Sequence, residues 1–361
     1  MDRAWGASRL NATDSLSREA VEAVDRAGML DDVLAQPLQL GDALWRVESA
    51  HIPHSDAPGG LLVCGMGGSA IGGDLAAAAA GDRATRPIRT MRGYGIEPWT
   101  ASDTLVLCAS YSGNTEETLA SFEAAGAAGA PRVVLTTGGR LAEAARAEEV
   151  PVIGAPSGLQ PRAAVVYMTI AALECAAACG AVAGLHTEID SAGALLTELA
   201  AEWGPGAASD SEAKALALRL GGTVPVIYGS VPTTAPARRW KTQLNENAEA
   251  AAFFSEVPEA DHNEICGFER GRARAPLSAV FLEDSDQHPR VRERMELTCR
   301  VAEQAGLDTT RVMARGENAV ERVLSLVLLG DLVSVYLAVL EGVDPTPVGA
   351  IERLKEQLGS I

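Results

Sequence analysis

Short apolar runs alternate along this chain with longer stretches whose apolar positions recur at helical spacing. Leu61-Leu62-Val63-Cys64, Pro87-Ile88-Arg89-Thr90, Thr104-Leu105-Val106-Leu107-Cys108, Arg132-Val133-Val134-Leu135-Thr136 and Val150-Pro151-Val152-Ile153 predict five strands. Helices are expected between them, including 115–128 and 140–148. A long helical stretch over 163–203 and a Gly-Pro-Gly linker at 204–206 lead to a second set. Its strands are Val224-Pro225-Val226-Ile227-Tyr228, Ala279-Val280-Phe281-Leu282 and Thr310-Arg311-Val312, with helices near 235–250, 289–305, 319–341 and 346–358. Apolar strands alternating with helices argue for parallel, doubly wound sheets covered on both faces. Both sets contain an apolar strand that ends in a Gly turn with a hydroxyl residue nearby and a helix behind. The expected architecture is α/β: an N-terminal helical arm (1–50), a first α-β-α lobe (51–203) and a second (204–361), duplicated around a shared cleft. In the arm, Asp14-Ser15 and Ser17 are cap candidates ahead of Arg18-Glu19-Ala20-Val21.

The 361 residues leave room for two such lobes, and 48 Asp+Glu against 30 Lys+Arg give a formal net charge of −18. That field repels polyanions, so nucleic acid is not an expected partner. It also opposes any small anionic substrate unless a local cradle overcomes it. Abundant Ala and Gly fit closely approaching helices and equally fit a biased genome composition. Two apolar stretches, Ala163–Leu185 and Val323–Leu340, carry Glu174 and Asp331 and read as buried helices rather than membrane spans. No secretory signal pattern opens the chain, so a cytoplasmic location is expected. Six cysteines (Cys64, Cys108, Cys175, Cys179, Cys266, Cys299) show no zinc spacing and are expected as reduced thiols.

Two turns stand out, each between a strand and a helix. Gly65-Met66-Gly67-Gly68-Ser69-Ala70 offers backbone N–H groups, those of Gly67 and Gly68 among them, to an anion at a helix N-terminus. It also satisfies G-x-G-x-x-A, which keeps a dinucleotide site open, with Arg92 after the next strand suiting NADP rather than NAD. Ser110-Tyr111-Ser112-Gly113-Asn114-Thr115 sets three hydroxyls around a glycine ahead of a helix. Such a loop can cradle a phosphoryl group without a cation. A dinucleotide fold has no use for it, and the P-loop lysine is absent. The bland alternative is a helix cap, for which one hydroxyl suffices. Further on, Glu246 sits among amides late in a helix and His262 lies in a polar turn. Both residue types suit proton transfer near neutral pH.

The strings GMGGSAIGGD, SYSGNTEET, RWKTQLNENA and DHNEI together resemble the bifunctional phosphoglucose/phosphomannose isomerases of the sugar isomerase (SIS) superfamily, in order over roughly residues 50–358. The resemblance implies two SIS-type lobes and an aldose-ketose isomerase that needs neither metal nor cofactor. It implies that Ser69, Ser110, Ser112 and Thr115 hold the substrate phosphate and that Glu246 is the base. His262 is then the ring-opening group, aided by Lys355, and Arg162 stabilises the enediolate. Thr346 is the position that would hold a water near C2–C3. It further implies a homodimer in which His262 enters the partner's site. The chain departs from the family where Glu249 and Ala251 replace the usual Lys and Pro. Two rival classes stay open: a non-catalytic sugar-phosphate-binding SIS regulator, and an NADP-dependent oxidoreductase using Gly65, Gly67 and Arg92.

Overall fold

A computed structural model describes residues 16–358. Three helices open it: α1 (Arg18–Val24), α2 (Met29–Leu34) and α3 (Gln36–Ser49). The first sheet region runs β1 (Gly60–Cys64), α4 (Gly67–Ala80), β2 (Ile88–Met91), β3 (Thr104–Ala109), α5 (Glu116–Ala127), β4 (Arg132–Thr136), α6 (Gly139–Ala147) and β5 (Val152–Gly154). Helices α7 (Val165–Ala178), α8 (His186–Trp203) and α9 (Glu212–Leu220) lead onward. The second region comprises β6 (Val224–Gly229), α10 (Thr234–Asn247), β7 (Phe253–Glu256), α11 (Phe268–Arg272), β8 (Leu277–Glu283), α12 (Pro289–Gln304), β9 (Asp308–Met313), α13 (Ala319–Glu341) and α14 (Gly349–Leu358).

Both sheets are wholly parallel, as the alternation predicted. Their strand orders, β2-β1-β3-β4-β5 and β7-β6-β8-β9, repeat one pattern in which the order reverses between the first strand and the third. The duplication read from the Gly turns is therefore a duplication of topology. Strand periodicity divides each sheet between two cores. Leu61, Val63, Leu105 and Leu107 face one way and Leu62, Cys64, Val106 and Cys108 the other, the latter against Phe122 and Leu141 of α5 and α6. In the second sheet Ile227, Val280 and Leu282 share the core of the first set, while Tyr228 and Phe281 pack with Met295 of α12. One continuous core thus lies between the two sheets and unites the lobes.

Small residues let that central layer close up. At Gly72 of α4 a Cβ would fall 2.5 Å from Met168 of α7. α13, the one described helix long and apolar enough to cross a membrane, has 94% of its apolar window buried here. It is a core helix.

Several expectations are corrected. The stretch 163–203 is two helices, broken where Gly180 takes φ +74°. α9, β7 and the turns 259–267 were not foreseen, and the last helix begins at Gly349 rather than at 346. The N-terminal helices pack into the body of the fold, with Val21, Met29, Val33 and Leu40 in the central core. Ser17 does cap α1, its hydroxyl accepting from the Ala20 N–H at 3.3 Å, while Asp14-Ser15 lie outside the described residues.

Candidate active site

In a doubly wound sheet, ligands collect outside the carboxyl ends of the strands where the order reverses. In the first sheet that point lies between β1 and β3, and both turns singled out in the sequence emerge there. The turns are joined: Ser69 Oγ, buried, accepts from the Tyr111 N–H at 3.2 Å. Ser110 Oγ lies 2.9 Å from Thr115 Oγ1 and accepts from the Gly113 N–H at 3.1 Å. Ser112, exposed, accepts from the Asn114 N–H at 3.3 Å. Gly113 adopts φ +68° with the loop folded so close to the β4–α6 turn that a Cβ would sit 1.8 Å from Gly138 O. Only glycine fits there.

The cap alternative does not describe these hydroxyls. Neither Met66 before α4 nor Thr115 before α5 makes a side-chain cap hydrogen bond. Asn318 by contrast caps α13, accepting from the Glu321 N–H at 3.0 Å. Two uncapped N-termini therefore converge on one place and leave their first-turn amides to an outside anion.

From the cradle the geometry leads to Arg162. The Tyr111 hydroxyl donates to Pro156 O and accepts from the Leu159 N–H, both at 2.8 Å, fixing the segment ahead of it. A Cβ at Gly68 would lie 3.0 Å from Arg162 Cα, so the arginine's backbone rests directly on the first turn. Arg162 is 3% exposed, and its Nη1 stands 3.7 Å from Glu246 Oε2. Burial pulls its guanidinium below the ordinary arginine value, with the Glu246 carboxylate acting in the opposite direction. Its Nε donates to Asn247 Oδ1 (2.6 Å) and its Nη2 to Pro345 O (2.6 Å) and Thr346 O (2.8 Å). Thr346 Oγ1 is buried and has no hydrogen-bond partner among the described residues.

Beneath this lies a buried ion pair that the sequence reading missed. Arg239 donates to Asp331 (Nε–Oδ1 3.0 Å, Nη2–Oδ2 2.7 Å) and to Arg162 O (2.9 Å). Asp331 also accepts from Gln36 Nε2 at 2.7 Å. Burial raises the Asp331 carboxyl above its ordinary range, and Arg239 works against that rise. A signal for it existed: an aspartate inside the apolar run Val323–Leu340 must find a buried cationic partner.

Two of the predicted residues are not brought to this place within one chain. His262 is exposed in the short turn Glu259–His262 and makes no side-chain hydrogen bond among the described residues. Lys355 is exposed on α14, whose apolar residues Ile351, Leu354 and Leu358 are exposed as well. Arg92 is engaged by Asp74 at 2.5 Å, with Arg238 at 3.8 Å from the same carboxylate. Arg92, the cation on which the NADP reading relied, is thus committed to a carboxylate of its own fold. At the equivalent position of the second sheet the β6–α10 turn keeps two buried hydroxyls, Ser230 and Thr233, bonded to Gln287 and to Leu282 O, while the β8–α12 turn carries Asp284 and Asp286, both paired with Arg322. Two surface depressions, ≈310 Å³ beside Pro131 and Pro151 and ≈510 Å³ beside Arg272 and Pro276, lie at strand amino ends and involve none of these residues.

Residues 209–358 match the family model of the bacterial phospho-glucose isomerase C-terminal SIS domain. A bifunctional phosphoglucose/phosphomannose isomerase of Caldicellulosiruptor bescii is 38% identical over 304 residues, covering 83% of this chain and 90% of that protein. The chain belongs to the bifunctional phosphoglucose/phosphomannose isomerase family. The family protein of Aquifex aeolicus is 36% identical, again over 83% of this chain and 90% of its own length. Among solved structures, a hypothetical protein of Thermus thermophilus superposes with TM-score 0.74 at 16% identity over 96% of this chain and 94% of its own, a likeness of fold.

Of the two departures from the family string, Glu249 has a physical signature. It sits just past α10 at φ +50°, a left-handed conformation that costs a β-carbon-bearing residue ~1–2 kcal/mol. Glu249→Gly relieves that strain and gives back part of it in unfolded-state entropy, ~0.5–1 kcal/mol. A net stabilisation of up to about 1 kcal/mol is expected in urea unfolding, with kcat unchanged.

Proposed function

We propose that this chain interconverts glucose 6-phosphate and mannose 6-phosphate with fructose 6-phosphate through a cis-enediolate. The observation that carries the reading is the half-buried Glu246 carboxylate 3.7 Å from the buried guanidinium of Arg162, whose backbone rests on the hydroxyl-lined cradle. A base, a cation for developing negative charge and an anion cradle are what a phosphosugar isomerase requires. The phosphate lies on Ser69, Ser110, Ser112 and Thr115 with the Gly67 and Gly68 amides. Glu246 removes the proton at C2 and returns it at C1, and Arg162 Nη1 faces the enediolate oxygens.

Glucose and mannose 6-phosphates differ only at C2, and the planar enediolate erases that difference. Accepting both requires rotation about C2–C3, for which the unpartnered Thr346 Oγ1 is placed to hold a water. His262 and Lys355 serve ring opening. Their exposure, with the uncovered apolar residues of α14, fits a homodimer in which His262 is supplied across the interface. Six free cysteines, five of them buried, suit a reducing cytoplasm. No metal takes part.

A chelator-treated coupled assay for fructose 6-phosphate, run separately from glucose 6-phosphate and mannose 6-phosphate, tests this. Turnover of both sugars is expected. A protein that binds both sugars and converts neither is the regulator, and the isomerase reading fails.

A further inference from the structure

We infer that Asn247 is a positioning residue for the reaction, holding the Arg162 guanidinium so that Nη1 faces the substrate. The inference rests on the reading of Arg162 as the charge-stabilising group. A guanidinium is a rigid planar fork, so fixing its other nitrogens fixes the direction of Nη1. Here Nη2 is held by the carbonyls of Pro345 and Thr346, and Nε by Asn247 Oδ1 at 2.6 Å. Nη1 alone is left turned toward Glu246.

An asparagine can present either its oxygen or its nitrogen, and only the oxygen accepts from Nε–H. The choice is enforced from behind. Asn247 Nδ2 donates to Ser334 Oγ at 2.8 Å, and the Ser334 hydroxyl donates to Asp331 O at 2.7 Å. With its proton so committed, Ser334 Oγ is an acceptor, and the flipped amide would set oxygen against oxygen and nitrogen against nitrogen. Asn247 and Ser334 are both 0% exposed, so water does not replace either contact. Asn247 also adjoins Glu246 in the last turn of α10, so one piece of backbone places the base and orients the cation facing it.

The test is a double-mutant cycle read as kcat and KM, with near-UV circular dichroism and sugar-phosphate binding verifying the fold. Asn247→Ala is expected to lower kcat roughly 10²-fold, the scale for misdirecting one preorganised donor, with KM within about threefold. In an Arg162→Ala background the same substitution is expected to change kcat by less than about twofold, because the group it acts through is gone. Should Asn247→Ala not fold, Ser334→Ala decides, since it leaves the Asn247 oxygen present but unsteered and is expected to lower kcat in the same direction by a smaller factor. Wild-type kcat in Asn247→Ala, or in Ser334→Ala if that variant must stand in, beside a crippled Arg162→Ala overturns the inference. So does an undiminished Asn247 effect in the Arg162→Ala background. Wild-type kcat in Arg162→Ala itself removes the parent reading and this inference together, and is seen without touching Asn247.

Discussion

Glu246→Gln is expected to lower kcat on both sugar phosphates by on the order of 10²–10⁴-fold, the range for loss of a positioned general base. Phosphosugar affinity should remain within about threefold, because the cradle is built from the β1–α4 and β3–α5 turns and shares no side chain with α10. The amide keeps the shape and one acceptor oxygen but has no basicity. Folding is little disturbed: the carboxylate is half-buried, and its 3.7 Å approach to Arg162 is an ion-pair distance longer than a hydrogen bond. The decisive readout is solvent deuterium appearing at C2 of recovered glucose 6-phosphate, which should vanish along with turnover. A variant that still exchanges that hydrogen at the wild-type rate removes Glu246 from the role of base.

The second large effect falls on stability. Asp331→Ala is expected to destabilise the protein by about 3–5 kcal/mol, since it strands a buried arginine without its counter-charge. Arg239 and Asp331 are each 1% exposed, and the Gln36 amide loses its acceptor as well. Against a typical stability of roughly 5–15 kcal/mol, such a loss shifts the urea midpoint far down. The contrasting variant is Arg239→Met with Asp331→Leu. Replacing both charges with apolar groups of similar size removes the desolvation cost that made the single substitution harmful, so most of the stability returns. Activity should not return with it, because Arg239 also holds Arg162 O at 2.9 Å. Equal stability of the single and the double variant would show that the pair contributes nothing through its charges.

The central strands β1 and β6 were legible because each apolar run stops at glycine. Leu61–Cys64 ends at Gly65 and Val224–Tyr228 at Gly229, and both are central strands with unbroken burial near their carboxyl ends. β7 was not legible for the opposite reason. It is a short edge strand beginning at the exposed Phe253, so neither an apolar run nor a clean alternation marks it. The break between α7 and α8 is written in Gly180 and Gly184, which the abundance of alanine on either side concealed. Within the site, Glu246 stood out from its own surroundings as a proton-transfer candidate, but its role as base, and Arg162 altogether, came from the resemblance to a family, since no spacing rule ties residues 84 positions apart. Asn247 was overlooked, and Asp331 was read only as a mark against a membrane span, because what each does is relational. Asn247 is unremarkable in its own helix, and the partner of Asp331 becomes apparent only once α10 and α13 are side by side.

The partners of Arg162 have a consequence for how this molecule acquires activity. Asn247 lies 85 residues further along the chain, Pro345 183 and Thr346 184. Contacts of such sequence separation close late, after the local strand–helix units have collapsed, because the loop entropy must be met before they contribute. The phosphate cradle, whose contacts are closer in sequence, is therefore expected to form before the guanidinium is oriented. During refolding, capture of a sugar phosphate should be regained ahead of turnover, and a ribosome-bound chain ending short of Pro345 should hold substrate while converting none.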